Sequence, residues 1–147
     1  MSDFGEVRLR PAETGDADAV AALAGQLGYQ RTAAQIREWL TALTARSGQA
    51  VFVAEWHGEV VAWVDVSLEH RLQSETFGLI GGLVVKEGLR GEGIGKRLCE
   101  RAEQWSREQG AKKLRVTSRS TREAAHRFYL RDGYQQVKVS MIFEKAL

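Results

Sequence analysis

Residues 83–96 read LVVKEGLRGEGIGK, an apolar run that leads into a glycine-rich turn and then into an amphipathic helix. At the start of a helix the first backbone N–H groups lack partners within the helix, and the helix dipole favours negative charge there. Glycines allow a phosphate to approach the backbone closely, and Arg90 and Lys96 add positive charge nearby. The stretch therefore predicts a site that holds a pyrophosphate.

Two other phosphate motifs are excluded by the spacing of the same residues. A Walker loop requires Ser or Thr after its Gly-Lys pair, whereas Gly95 and Lys96 are followed by Arg97. The position five residues before Gly95, which should be glycine, is Arg90. The dinucleotide fingerprint G-x-G-x-x-G also fails, because the third glycine arrives one residue early.

Around this stretch, hydrophobic periodicity predicts ten elements in the order β-α-α-β-β-β-α-β-α-β. Strands are expected near residues 7–10, 50–56, 60–66, 76–85, 114–117 and 137–143, and helices near 17–27, 32–47, 94–109 and 125–132. Thr14 or Asp16 is expected to cap the first helix and Thr32 the second. Gly81 and Gly82 interrupt the strand that precedes the glycine-rich turn.

Composition limits the classes of protein that the chain can belong to. Its 147 residues suit one domain, residues 1–147. With 21 basic and 19 acidic residues, the net charge of +2 gives no footprint of general nucleic-acid binding. No apolar run reaches the roughly 20 residues of a membrane span, and no leader is recognisable, so a cytoplasmic protein is expected. One cysteine, Cys99, and three scattered histidines predict no metal site.

Two motifs together resemble those of one family. Arg90-x-x-Gly93-x-Gly95 resembles the coenzyme A signature (Arg/Gln)-x-x-Gly-x-(Gly/Ala) of the GNAT superfamily of N-acetyltransferases. Residues 125–134, AHRFYLRDGY, resemble the family's A-x-x-F-Y-x-x-x-G-(F/Y) segment. The strand-like opening of residues 8–12, followed by a helix, is also typical. The resemblance implies a single-domain α/β (α+β) fold with a mixed, mostly antiparallel central sheet flanked by helices.

The resemblance also implies an activity. The chain is expected to transfer the acetyl group of acetyl-CoA to a primary amine of a small molecule or peptide, directly and in a ternary complex. Aminoglycosides, polyamines, amino acids and protein amines all remain open as acceptors, and a homodimer is compatible with the family. The alternative is a module that binds acetyl-CoA as a sensor, with little catalysis.

By family position, several residues are expected to contact coenzyme A. They are Leu83, Val84, Val85, Arg90, Gly91, Gly93, Ile94, Gly95, Lys96 and Phe128. Tyr129 matches the tyrosine that protonates the departing thiolate, and its alternative role is that of a core aromatic residue beside Phe128. Arg119 and Arg122 could reach a coenzyme phosphate or could be surface charges.

The general base is left open, because Gly82 stands where many relatives carry a glutamate. The substitutes are Asp65, Glu69, His70 and Glu75, each of which could equally be a solvated surface group. Water, or an amine of low pKa, could also suffice. Gly81 and Gly82 are expected either to form a bulge that frees N–H groups near Leu83 for the acetyl oxygen, or only to relieve crowding in the sheet.

Overall fold

The structure, a computed structural model, describes residues 6–43 and 45–147. The chain forms two compact units, of which the first ends at Val116 and the second runs from Thr117 to Leu147. The elements of the first unit are β1 (Arg8–Pro11), α1 (Ala17–Ala24), α2 (Ala33–Leu43), β2 (Gln49–Trp56), β3 (Glu59–Glu69), β4 (Phe77–Val85), α3 (Ile94–Glu108) and β5 (Leu114–Val116).

The five strands form one sheet in the order of the chain. The pairs β1–β2, β2–β3 and β3–β4 are antiparallel, and β5 pairs with β4 in parallel. Such a parallel pair needs a crossover connection, which α3 supplies. The predicted mixed, mostly antiparallel sheet with flanking helices is therefore confirmed.

The helices cover both faces of this sheet. Val20, Leu23 and Ala24 of α1 pack with Val53 and Trp63, and Leu40 of α2 packs with Val51. On the opposite face, Arg101 of α3 lies over the ring of Phe52, which points away from its neighbours in the strand. The apolar stripe of α3 is fully buried and consists of Ile94, Leu98, Cys99 and Ala102.

The two helix caps expected in the first part of the chain have different outcomes. Thr32 and Gln35 form a reciprocal capping box at α2, as predicted for Thr32. Asp16 does not cap α1 with its side chain. Its carboxylate instead accepts two hydrogen bonds from the Arg10 guanidinium, of 2.8 and 2.9 Å, and one from the Glu13 N–H of 2.7 Å.

The second unit contains α4 (Glu123–Arg131), which ends at Gly133 in the left-handed conformation. The prediction of a final strand near residues 137–143 is wrong for the single chain, since residues 134–147 have no regular secondary structure. Alternating apolar residues favour a strand only where a neighbouring edge supplies hydrogen bonds. Large apolar side chains of this segment are exposed, namely Val137, Val139, Met141, Ile142 and Phe143.

No helix in the described ranges 6–43 and 45–147 is long and apolar enough to cross a membrane. The cytoplasmic location stays a prediction, as does the assignment of residues 1–147 to one domain.

We expect Asp16→Asn to lower the free energy of unfolding by about 1–3 kcal/mol, because a buried charged acceptor facing Arg10 is lost. Urea denaturation measures this change. Asp18→Asn is the matched control: Asp18 is exposed and lies 3.9 Å from Arg37, so its loss should change stability by less than about 0.5 kcal/mol.

We expect the stabilisation that Asp16 provides to depend on pH. Hydrogen bonding to Arg10 holds the pKa of Asp16 below its ordinary value of 3.8. The stabilisation is therefore complete above that ordinary value and is lost as the pH falls through the lower pKa of the folded state. An Asp16→Asn variant as stable as the wild type at neutral pH would contradict this account.

Candidate active site

The loop between β4 and α3 has the backbone conformation that its glycines predict. The Lys86 N–H donates to Val61 O (2.8 Å), and the Leu89 N–H then closes a turn onto Lys86 O (3.1 Å). Gly88, Gly91 and Gly93 have φ values of 88°, 87° and 84°, in the left-handed region that favours glycine. With these three left-handed glycines the chain passes from the end of the strand to the start of the helix.

This loop leaves open space where a phosphate would lie. A Cβ built on Gly88, Gly91 or Gly93 meets no other atom within 4 Å. The Arg97 N–H donates to Gly93 O, so Gly93 is the N-cap of α3, and the N–H groups of residues 94–96 belong to the first turn of the helix. Arg90 and Lys96 are exposed on either side. These observations fit the predicted anion site.

Gln26, which the sequence did not single out, fastens the start of this loop. Its Nε2 donates to Val85 O (3.0 Å), and its Oε1 accepts from the Glu87 N–H (3.2 Å). The residue lies in a short 3₁₀ turn, Gly25–Leu27, that follows α1. No signal in the sequence could have revealed this contact, since it joins residues about sixty positions apart.

Two of the predicted coenzyme contacts, Val84 and Ile94, have buried side chains. Val84 packs with Trp63 in the cluster beneath α1, and Ile94 belongs to the stripe of α3. Only their backbone atoms are available to a ligand. Leu83 and Val85 are partly exposed.

The interruption of β4 at its glycines is a β-bulge. Asp65 is opposite Gly82 and Val66 is opposite Ile80, which leaves Gly81 as the extra residue. A Cβ on Gly81 would lie 2.7 Å from Oδ1 of Asp65, and one on Gly82 would lie 3.0 Å from the Trp63 ring. The bulge is thus formed, and glycine at both positions also avoids close contacts; that the bulge frees an N–H group near Leu83 for the acetyl oxygen stays a prediction.

The Asp65 carboxylate fills the space that these glycines leave. It accepts hydrogen bonds from the backbone N–H groups of Gly82 and Gly81. Burial raises the pKa of the Asp65 carboxyl above its ordinary value, and the two hydrogen bonds only partly oppose that effect. The side chain keeps some exposure to solvent, so a substrate can reach it.

Trp63 lies two residues before Asp65 in β3, on the same face of the sheet. The residue is 8% exposed, and its Nε1–H has no hydrogen-bond partner among the residues that the structure describes. A buried donor without a partner is costly and calls for a ligand or water group to accept from it. The indole is therefore suited to a polar group of a bound molecule.

The other three candidate bases lie farther from the bulge. Glu69 is four residues beyond Asp65 in β3, at a distance of about 13 Å along a strand. It accepts from the Ser67 hydroxyl and lies 3.6 Å from Arg71. His70 contacts the Thr76 hydroxyl, and both His70 and Glu75 are exposed. Of the four, the structure brings only Asp65 to the bulge.

In the second unit, α4 carries Phe128 and Tyr129. Their rings meet edge to face with centroids 5.2 Å apart, and the Tyr129 ring meets that of Tyr134 at 5.8 Å. Both Phe128 and Tyr129 are partly exposed. Arg119 and Arg122 are exposed ahead of the helix, where the Arg119 carbonyl contacts His126 Nε2 at 2.8 Å. The roles expected for these residues stay predictions.

Comparison with known proteins identifies the family. The model of the acetyltransferase (GNAT) family matches residues 18–134, which span the glycine loop, the bulge and α4. The chain belongs to the GNAT family of N-acetyltransferases. It is accordingly an acyltransferase, and its reaction is N-acetyltransfer.

The relatives of this GNAT chain include two enzymes with named acceptors. An aminoalkylphosphonate N-acetyltransferase of Salmonella typhimurium is 34% identical over 95% of the chain and 90% of its own length. An aminoglycoside N(6')-acetyltransferase of Stenotrophomonas maltophilia is 30% identical over 95% of the chain and 93% of its own length.

A solved structure with the same fold comes from an aminoglycoside N-acetyltransferase, AAC(6')-Iy, in complex with CoA. It has a TM-score of 0.87 at 15% identity and covers 97% of this chain and 96% of its own.

Proposed function

We propose that this chain transfers the acetyl group of acetyl-CoA to a primary amine of a small molecule or peptide, directly and within a ternary complex. The observation that carries the proposal is the loop at the start of α3. Its three left-handed glycines have open surroundings, the last of them is the N-cap of the helix, and Arg90 and Lys96 of the same stretch are exposed.

The residues of the loop fit the pyrophosphate of acetyl-CoA, and the solved structure of AAC(6')-Iy with CoA supports this choice of cosubstrate. The N–H groups of Ile94, Gly95 and Lys96 belong to the first turn, where an anion is favoured. When bound, acetyl-CoA supplies an electrophilic thioester carbonyl and a thiolate leaving group. The exposed edge of β4 around Leu83 and Val85 is available to the rest of the molecule.

Direct transfer is favoured because the chain offers no accessible thiol to carry the acetyl group. Cys99 is the only cysteine, and its side chain is completely buried in the stripe of α3. A covalent route through cysteine requires an exposed, activated thiolate. The amine nitrogen therefore attacks the acetyl carbon itself.

For the acceptor, the relatives favour a small molecule. Two relatives that are at least 30% identical over 95% of the chain are named for aminoalkylphosphonates and for aminoglycosides, which are small amines of opposite charge character. We therefore propose a small-molecule primary amine, rather than a peptide, as the acceptor. Tyr129, by its match to the family motif, donates the proton that the departing sulfur takes up.

We expect Gly93→Leu to weaken acetyl-CoA binding at least 10-fold, because the new side chain enters the open space of the loop. Calorimetric titration measures the affinity. Gly110→Leu at the other end of α3 is the matched control, since Gly110 has a φ of 90° and equally open surroundings. Both variants should lose about 1–2 kcal/mol of stability from the strained backbone.

Equal affinities in the two glycine variants would contradict the proposed pyrophosphate site. Both substitutions strain a left-handed backbone to a similar extent. A difference in acetyl-CoA affinity between the two variants therefore cannot come from backbone strain alone.

For Tyr129→Phe we expect kcat to fall by about 10- to 100-fold, with acetyl-CoA affinity nearly unchanged, because only the proton donor is removed. Thiol release in steady state and calorimetry measure the two quantities. Tyr134→Phe removes a hydroxyl from the ring packed against Tyr129 and should change kcat by less than about 3-fold. Full activity of Tyr129→Phe would refute the assignment.

We also propose that the protein is a homodimer in which residues 137–143 are covered by a second copy. Val137, Val139, Met141 and Phe143 alternate as in a strand, yet are 74–87% exposed. In the described part of the chain, β5 ends the sheet and has no neighbour on its outer side. An apolar strand without a partner and a sheet edge without a partner complement each other between identical copies.

Light scattering should therefore give twice the chain mass of 16.4 kDa. The double variant Val139→Glu/Phe143→Glu should shift the protein to the monomer, because two charges cannot be buried in the shared apolar surface. Gln136→Glu, immediately before this segment, is the control and should stay dimeric. A wild-type monomer at micromolar concentration would overturn the proposal.

A further inference from the structure

The bulge between β3 and β4 places a carboxylate next to the position where the family often has one. Gly82 provides no side chain, but Asp65 is its direct partner across the two strands. Oδ1 of Asp65 lies 3.9 Å from the Cβ that a residue at position 82 would have. A carboxylate from β3 therefore occupies the surroundings of position 82 in β4.

The side chain of Trp63 explains why this carboxylate comes from β3. A Cβ at position 82 would lie 3.0 Å from two atoms of the Trp63 ring, closer than ordinary van der Waals contact. The ring is held in the buried cluster of α1 and cannot give way without disturbing Val20 and Leu23. Packing in this chain thus disfavours a glutamate at position 82, because the Trp63 ring would have to shift to admit it.

The surroundings of Asp65 suit a proton acceptor rather than a structural ion pair. The residue opposite Asp65 across β3 and β2 is Val51, which belongs to the apolar cluster under α2, and from β4 the carboxylate accepts hydrogen bonds from the two glycine N–H groups. No charged side chain of the described residues is among the causes of its pKa shift, and none forms a salt bridge with it. The carboxylate is thus available to a cationic substrate.

We propose that Asp65 is the general base of this acetyltransferase and takes the proton from the acceptor's ammonium group, directly or through one water. The inference rests on the proposed function above. The Asp65 carboxylate becomes a carboxylic acid, and the nitrogen lone pair is freed to form the C–N bond as the C–S bond breaks. A second proton leaves the nitrogen as the sulfur gains one, so each turnover releases one proton to solvent from Asp65.

The wild type should first bind acetyl-CoA and release thiol with at least one amine of a panel that contains kanamycin, aminomethylphosphonate and spermidine. If it does neither, the proposed function itself fails. With an active amine in hand, Asp65→Asn should lower kcat/KM by about 100-fold or more. Its calorimetric affinity for acetyl-CoA should stay within 3-fold of the wild type, which separates a lost base from a damaged cosubstrate site.

The pH profile distinguishes a base from a structural residue. In the wild type, kcat/KM should fall with unit slope as the pH drops below the raised pKa of Asp65, because the protonated carboxyl cannot accept a proton. Asp65→Asn should lose this acidic limb. Glu69→Gln, on the same strand, should retain both the activity and the fall of kcat/KM at acidic pH. Loss of that fall in Glu69→Gln rather than in Asp65→Asn would overturn the proposal.

A measurement without turnover tests the same carboxyl group. Because the pKa of Asp65 is raised on folding, its contribution to stability is present at low pH and is lost as the pH rises through the folded-state value. The difference in unfolding free energy between the wild type and Asp65→Asn should therefore change over that pH range. A constant difference would show that Asp65 does not titrate as proposed.

A second variant keeps the proposal testable if Asn disturbs the bulge. Asp65→Ala leaves a space beside Gly81 and Gly82 in which a small carboxylate can bind. Added formate should then restore part of the lost activity and should have no such effect on the wild type. Failure of rescue in an Asp65→Ala variant that is folded and binds acetyl-CoA would overturn the proposal.

Discussion

One extra residue in β4, Gly81, sets the geometry on which the rest of the site depends. Side chains along a strand alternate between the two faces of a sheet, and an extra residue shifts that alternation relative to the neighbouring strand. Here the shift turns the N–H groups of Gly81 and Gly82 toward Asp65. A Cβ at Gly81 would lie 2.7 Å from the Asp65 carboxylate and one at Gly82 would lie 3.0 Å from the Trp63 ring, so the packing of these two side chains against the bulge favours glycine at both positions.

Most of the fold follows from local sequence pattern, because α1 and α3 each bury one stripe and the β-branched runs of β2 and β3 are buried on both faces. The predicted helix near residues 94–109 differs from α3 by one residue at its end, and the hairpin of β2 and β3 is formed as expected. The prediction of a strand at residues 137–143 was wrong for a physical reason. Their alternation specifies which side chains share a face, but a strand also needs an edge to pair with, and that information is not local.

In the candidate site, too, the local features could be predicted from the sequence and the features that depend on tertiary contacts could not. The conformation of the glycine loop could be predicted because glycine is the residue that favours a positive φ at its own position. Of Gly88, Gly91, Gly93 and Gly95, the first three are indeed left-handed. Asp65 was one of four equal candidates, because its role depends on the register between β3 and β4. A slip of one residue would turn its side chain to the face of α3. Gln26 reaches β4 through tertiary packing alone and had no sequence signal.

The environment of Asp65 lowers the stability of the fold and makes the carboxylate a better proton acceptor. A carboxylate beside Val51, with no salt bridge to a cation of the described residues, costs free energy that a structural role would not justify. Two backbone N–H groups recover part of that cost, yet leave the pKa raised, which makes the carboxylate a stronger base toward an ammonium proton. Asp16 shows the contrast within the same chain. There Arg10 neutralises the carboxylate and lowers its pKa, so that group stabilises the fold and has little tendency to accept a proton.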